Sequence, residues 1–229
     1  MKYLRAVAFM LITVLIYLGV PLLGWGITDL PGFLSATPRL LYAALVIAFG
    51  LAVGVQAVDA PEGIRGSRGD ERKLVGRQHI VRRVVVLALY VSLAFLPFAD
   101  RRAIGVLGDA ALLRWIGLIL AALGLGLVFW SGVALGRMYS QEVTIQEGHR
   151  LVTDGPYRFV RHPRYAGVIG MAVGLSLLFR SWIGLAVVAP LVAVLLFRIR
   201  DEEALMHREF GPEWEAYCRR SWRLAPLVF

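Results

Sequence analysis

Hydrophobic residues along this chain fall into long, nearly unbroken runs, and the charges gather in the segments between them. The runs are Ala6 to Ile27, Leu40 to Val58, Val84 to Phe98 and Leu112 to Leu135, followed by two shorter ones, Ala166 to Phe179 and Ile183 to Phe197. A helix needs about 20 apolar residues, within a working range of roughly 17 to 25, to cross the hydrocarbon core of a bilayer. The pattern predicts an all-α integral membrane protein built from about six apolar helices. The last two runs are joined only by Arg180, Ser181 and Trp182, which predicts a tight helical hairpin that crosses with help from flanking residues or stays partly re-entrant. Lys2 and Arg5 precede the first run as they would in a signal peptide. No small-residue cleavage site follows, so that run is expected to remain as a span.

Composition sharpens this picture. The chain is 58% hydrophobic with a mean hydropathy of +0.67, more apolar than a soluble domain. Its net charge of +9 lies between apolar runs and not along one face, which points to a membrane surface and away from nucleic acid. Of the 25 Lys and Arg residues, 20 fall in one alternating set of segments, while 5 (Arg39, Arg101, Arg102, Arg114 and Arg180) fall in the other. The positive-inside rule then places the larger set, with both termini, in the cytoplasm. The inner membrane of a bacterium or archaeon is the expected location. A single cysteine, Cys218, excludes an internal disulfide, and four scattered histidines lack metal-ligand spacing, so no metal site is expected.

The groups able to do chemistry concentrate between Leu151 and Gly167. Gly155-Pro156 and His162-Pro163 each read as a helix cap followed by a proline in the first turn. Pro163 pushes His162 out of helical geometry and opens the apolar helix that begins near Arg164. A short helix before it would set Arg158 and Arg161 on one face, with His162 and Arg164 close behind. That predicts a cationic pocket at a helix N-terminus, where free N–H groups and the dipole favour an anion. The alternative for these basic residues is an ordinary cytoplasmic topology signal. Upstream, Glu142 to Val152 reads as a small hairpin over the cytoplasmic mouth with His149 in its turn, and Asp59 to Arg83 reads as a polar loop. Downstream, the chain is expected to stay helical through Asp201, Glu202 and Glu203. Pairing along that helix, Arg198 with Glu202 and Glu203 with Arg200 or His207, is one role open to the acids. Gly211-Pro212 then restarts a helix whose Trp214, Tyr217, Cys218 and Trp222 predict a C-terminal interfacial helix in the headgroup plane.

Two motifs stand one helical hairpin apart. The first runs through Arg161, His162, Pro163, Tyr165 and Gly167; the second joins Glu202, Glu203 and a following leucine to Phe210, Gly211, Trp214 and Tyr217. In this order and distance they resemble the isoprenylcysteine carboxyl methyltransferase and phospholipid methyltransferase superfamily of integral membrane enzymes, over Gly136 to Pro226. The resemblance implies a methyltransferase that uses S-adenosylmethionine on a lipophilic or lipid-modified acceptor arriving from the bilayer. Residues 1–135 would be N-terminal transmembrane helices and 136–229 the methyltransferase core. It further implies cofactor binding by His149, Tyr157, Arg158, Arg161, His162, Tyr165, Gly167, Glu202 and Glu203. Glu203 and Arg223 would be the catalytic residues, Arg223 toward the acceptor. The basic pocket suits the cofactor's carboxylate, the glutamates its amine or ribose hydroxyls, and the two tyrosines a phenol or an aromatic wall. Methyl transfer is an in-line displacement that depends on positioning and on excluding water. Gly124 and Gly126 match a Gly-x-Gly found near the cofactor in phospholipid methyltransferases, and also fit close helix packing.

Other functions remain open on sequence alone. The acceptor could be an amine headgroup instead of a carboxylate or thiol, and a cofactor-binding protein without activity has the same motifs. Ion-coupled transport would call for ionisable groups at mid-membrane, and the six runs carry none near their centres.

Overall fold

The computed structural model describes residues 2–59, 78–108, 111–136 and 151–226. Among them the chain is helical and forms no strand. The helices are α1 (Lys2–Val14), α2 (Val20–Trp25), α3 (Leu30–Leu34), α4 (Thr37–Asp59), α5 (Gln78–Arg101), α6 (Ala111–Leu135), α7 (Pro163–Leu178), α8 (Trp182–Phe210) and α9 (Pro212–Cys218). Among the described residues, four stretches are long and apolar enough to cross a membrane: Lys2–Trp25, Thr37–Val58, Ala111–Leu135 and Trp182–Phe210; Pro163–Leu178 is a shorter apolar helix. The 24 residues of α5 also have a span's length, about 36 Å at 1.5 Å per residue. Large apolar side chains such as Leu4, Leu23, Val55, Leu87 and Leu123 stay more than half exposed on the outside of the bundle, a face suited to lipid.

Three boundaries differ from expectation. The first span is interrupted by a π turn at Leu15–Gly19. Pro21 has no N–H to return to the Tyr17 carbonyl, and the Tyr42 hydroxyl of α4 donates to that carbonyl instead, at 2.5 Å. The loop expected from Asp59 to Arg83 is shorter, because α4 runs to Asp59 and α5 begins at Gln78; residues 60–77 lie outside the described residues. Helices continue past the point where they leave the apolar layer, and hydrophobicity marks only the layer. For the same reason α8 does not end near Phe197 but runs 29 residues to Phe210, about 43 Å, and projects its last turns beyond a hydrocarbon core of about 30 Å.

Small residues bring the central helices together. On α6, a Cβ at Gly124 would stand 2.6 Å from the Gly167 carbonyl oxygen of α7, and one at Gly117 would stand 2.6 Å from the Gly174 carbonyl oxygen. Facing glycines at a seven-residue spacing on both helices let the backbones touch, which replaces the hydrophobic driving force that lipid removes. Gly124 therefore serves helix packing. Gly167, expected at the cofactor, is turned to the same seam.

The end of the bundle opposite Glu202 and Glu203 is held by ions. The Asp100 carboxylate at the end of α5 is fully buried. It accepts from Arg39 at 3.1 Å, from Arg114 at 2.8 and 3.0 Å, and from Arg180 at 2.8 Å. Carbonyls of Gly32, Phe33, Leu178 and Gly108 take further guanidinium donors, and the Arg39 guanidinium lies 4.4 Å from the centre of the Trp25 ring. The α7–α8 turn, with Arg180 at φ +52°, is tied to the α5–α6 loop by Leu107 N–H to the Arg180 carbonyl at 2.7 Å. Three of the five basic residues assigned to the minority side thus form one knot. Replacing Asp100 with Asn leaves three guanidiniums around a neutral group, and stability is expected to fall by about 3 kcal/mol or more. Thermal unfolding in detergent reads this directly; an unchanged midpoint would mean that the knot does not hold the helix ends.

Candidate active site

At the other end, the chain folds back on itself to bring the two motifs into contact. Gly155, at φ +59°, starts a single 3-10 turn, Gly155–Arg158, and Phe159 to Arg161 lead from it to His162, which caps α7 ahead of Pro163. After α9 the tail returns beside this segment. Trp222 N–H donates to the Phe159 carbonyl (2.9 Å), Arg161 N–H to the Trp222 carbonyl (2.7 Å) and His162 N–H to the Arg223 carbonyl (3.1 Å). The Tyr217 hydroxyl donates to the Tyr157 carbonyl at 2.7 Å. The first motif is thus stitched by backbone bonds to the segment that follows the second.

Glu202 and Glu203, in the projecting part of α8, receive what this stitching delivers. Glu203 accepts from Arg161 Nε at 3.0 Å and from Arg223 Nη2 at 2.8 Å, and lies 3.4 Å from His162 Nε2. Glu202 accepts from the Tyr165 hydroxyl and from Arg198 Nε at 3.1 Å, and lies 3.6 Å from His162 Nδ1. Arg161 also donates to the carbonyls of Cys218 and Ser221. The His162 ring stacks on Tyr165, with centroids 5.8 Å apart, and its buried Nε2 has no hydrogen-bond partner among the described residues. A buried nitrogen without a partner is costly unless a ligand satisfies it. Burial pushes the Tyr157 phenol up and the Tyr217 phenol to about 12, so both remain neutral at physiological pH. It also raises the Cys218 thiol.

This charged end opens into a cavity of about 440 Å³ that continues between the helices. Its head is lined by Tyr157, Arg161, His162, Arg164, Tyr165, Arg198, Glu202, Trp214 and Tyr217. Its body is apolar, with Leu89 and Leu93 of α5, Leu125 and Val128 of α6, Val168 and Met171 of α7, and Val188, Leu191 and Leu195 of α8. Polar groups thus converge on one end of a long apolar slot, the form of a site for an amphiphile.

The chain's relatives agree with this geometry. The sequence model of the isoprenylcysteine carboxyl methyltransferase family matches residues 115–208. The chain is 27% identical over 174 residues to a probable protein-S-isoprenylcysteine O-methyltransferase of Oryza sativa subsp. indica, covering 70% of this chain and 90% of the rice protein. It is 34% identical over 100 residues to the protein-S-isoprenylcysteine O-methyltransferase of Schizosaccharomyces pombe, covering 42% of each. The structure of the eukaryotic intramembrane Ras methyltransferase, an isoprenylcysteine carboxyl methyltransferase, superposes with a TM-score of 0.57 over 97% of this chain and 75% of that one, at 19% identity. Over residues 115–208 the chain is similar to the isoprenylcysteine carboxyl methyltransferase family. The likeness to the solved structure carries the fold.

Within this superfamily framework, the structure sorts the residues expected at the site. Tyr157, Arg161, His162, Tyr165, Glu202, Glu203 and Arg223 come together. Arg158 does not: the turn before it is one 3-10 turn, not a helix, so Arg158 and Arg161 share no face and Arg158 points to solvent. Gly167 is buried in the α6–α7 seam. His149 and the hairpin expected from Glu142 lie outside the described residues; Leu151 and Val152 line the cavity. The expected cationic pocket is largely matched by carboxylates, since Arg161 and Arg223 are bound by Glu203. The helical pairing of Arg198 with Glu202 does form, but Glu203 turns away from Arg200 and His207, and His207 pairs with Glu215 instead. Trp214 and Tyr217 are buried against the site and do not lie among headgroups, because α9 is only seven residues long and docks inward. Arg164, expected in the cationic pocket, does line the cavity, and sequence reasoning missed Arg198 and Tyr17 as lining groups. The basic residue one turn before Glu202 was the available signal for Arg198; Tyr17 comes from a helix outside the matched segment and carried none.

Proposed function

We propose that this membrane methyltransferase transfers a methyl group from S-adenosylmethionine to the carboxylate of a lipid-linked acceptor whose tail lies in the apolar cavity. The observation that carries this reading is the cavity itself, with a charged head built from both motifs and an apolar body between membrane helices. The residues present fit such a donor. The buried His162 Nε2, which makes no hydrogen bond of good geometry although Glu203 lies 3.4 Å away, offers a polar contact, Glu202 and Glu203 suit an amine or ribose hydroxyls, and Tyr157, Tyr165 and Trp214 offer faces to an adenine. Bound there, S-adenosylmethionine supplies an electrophilic methyl group on a sulfonium. Around the head, the guanidiniums of Arg161, Arg164 and Arg198 line the cavity, donors that suit an anionic acceptor. A carboxylate also attacks as an ionised oxygen and needs no base, whereas an amine must lose a proton. Both nearby acids are already occupied by arginine. The arginines orient the carboxylate, and the stacked aromatics with the returning tail exclude water.

Calorimetry with S-adenosylhomocysteine in detergent tests the donor site. Glu203→Gln and His162→Ala are each expected to weaken binding by roughly 10- to 100-fold, the size of one or two charge-assisted hydrogen bonds. Undiminished binding in both variants, with folding intact, would overturn the assignment.

The distribution of basic residues, 20 against 5, supports a cytoplasmic site and cytoplasmic termini. Cys218, half-buried beside Arg161, reports on it. A membrane-impermeant maleimide should label it in opened cells and not in intact ones. Because burial raises the thiol and only the thiolate reacts, labelling should be slower at pH 7 than for a free cysteine and rise about tenfold per pH unit. Equal labelling of intact and opened cells would reverse the orientation.

A further inference from the structure

At its far end the cavity runs into closely packed side chains. Eleven residues of α7 separate Tyr165 from Ser176, and fourteen of α8 separate Arg198 from Gly184, about 16 and 21 Å of helical rise. At that depth the wall is Leu96, Ser176 and Gly184. The helices meet there without spare room: a Cβ on Gly184 would stand 2.5 Å from Leu96 Cδ2 and 2.6 Å from Ser176 Oγ. The Ser176 hydroxyl donates to the Ala172 carbonyl at 2.7 Å, and Ser181 caps α8 by accepting from Gly184 N–H at 3.1 Å. One turn beyond Leu96 lies Asp100, and one turn beyond Ser176 lies Arg180, so the buried ion knot backs the wall directly. Leu178, Phe179 and Ser181 around it are buried to within 1% of complete.

We propose that Leu96, Ser176 and Gly184 form a stop that sets the longest acceptor tail the enzyme accepts. The stop rests on the acceptor reading above. A tail already dissolved in the bilayer gains little by entering an apolar slot, so tails short of the stop bind about equally at equal mole fraction in the membrane. A tail that passes it has to displace packed side chains and enter a charged cluster, and its affinity falls by about tenfold, the size expected for overpacking a closed apolar site. Selection therefore acts as a cutoff in length and not as a gradient.

Competition read by native mass spectrometry tests this without requiring catalysis. The full-length protein in detergent is offered an equimolar mixture of N-acetyl-S-(n-alkyl)cysteines of increasing chain length, and the bound masses are compared. The wild type should show a sharp upper limit. Leu96→Ala should move the limit up by about the three carbons it removes, Ser176→Val should move it down, and Leu191→Ala, midway along the slot, should leave it in place. If Leu96→Ala fails to fold, Ser176→Val alone decides. A limit that stays fixed in the Leu96 and Ser176 variants, or no limit in the wild type, overturns the stop while the acceptor reading stands. Binding of no member at any length removes both.

Discussion

Hydrogen-bonded pairing of the charges at the two ends of the bundle is the constraint on which the rest of this structure depends. A guanidinium or carboxylate held among apolar helices costs several kcal/mol unless it is matched, and here matching is achieved by two knots at opposite ends. Asp100 gathers Arg39, Arg114 and Arg180, residues far apart in the chain, and so fixes how α3, α4, α5, α6 and the α7–α8 turn meet. Glu202 and Glu203 gather Arg198, Arg161 and Arg223 at the other end. Between the knots the interior is mostly apolar side chains and glycine contacts, and Ser131 and Ser176 there turn their hydroxyls to carbonyls of their own helices. That is the condition for a slot in which an alkyl chain is not opposed by polar groups.

The two knots differ in what they leave over. The Asp100 knot passes its extra guanidinium donors to backbone carbonyls and is sealed from solvent, as befits a structural fastening. The Glu202–Glu203 knot is only partly buried, stands at the mouth of the cavity, and contains a histidine nitrogen without a partner. A partly exposed charged cluster at the mouth of an apolar slot suits the polar end of a ligand, whereas the fully buried Asp100 cluster faces none.

Much of the site was legible because its residues carry local signals. Pro163 after His162, the acids following Arg198, and Gly211-Pro212 each fix backbone geometry or a helical pair within a few positions, and the structure brings those groups together. The failures have a common cause. Arg158 was placed by assuming a full helical turn where the chain makes one 3-10 turn. Trp214 and Tyr217 were assigned to lipid because amphipathic spacing identifies a face without identifying what covers it. The Asp100 knot was invisible because its partners lie 61, 14 and 80 residues away, and a count of basic residues records such arginines only as topology signals. Glycine spacing in α6 left packing and cofactor roles open; only the facing glycines of α7 decided between them.

The central claim, carboxyl methylation of a lipid-linked acceptor, is tested most directly by the chemical bond formed. Vesicles containing the protein would be given S-adenosylmethionine tritiated in the methyl group, together with an S-alkylated cysteine acceptor, and the lipid-soluble product treated with mild alkali. A methyl ester releases volatile tritiated methanol, which is the predicted result, and the release should be lost in Glu203→Gln. Lipid-soluble counts that survive alkali would point to an amine or thiol acceptor instead, and the absence of transfer to any membrane acceptor would contradict the account.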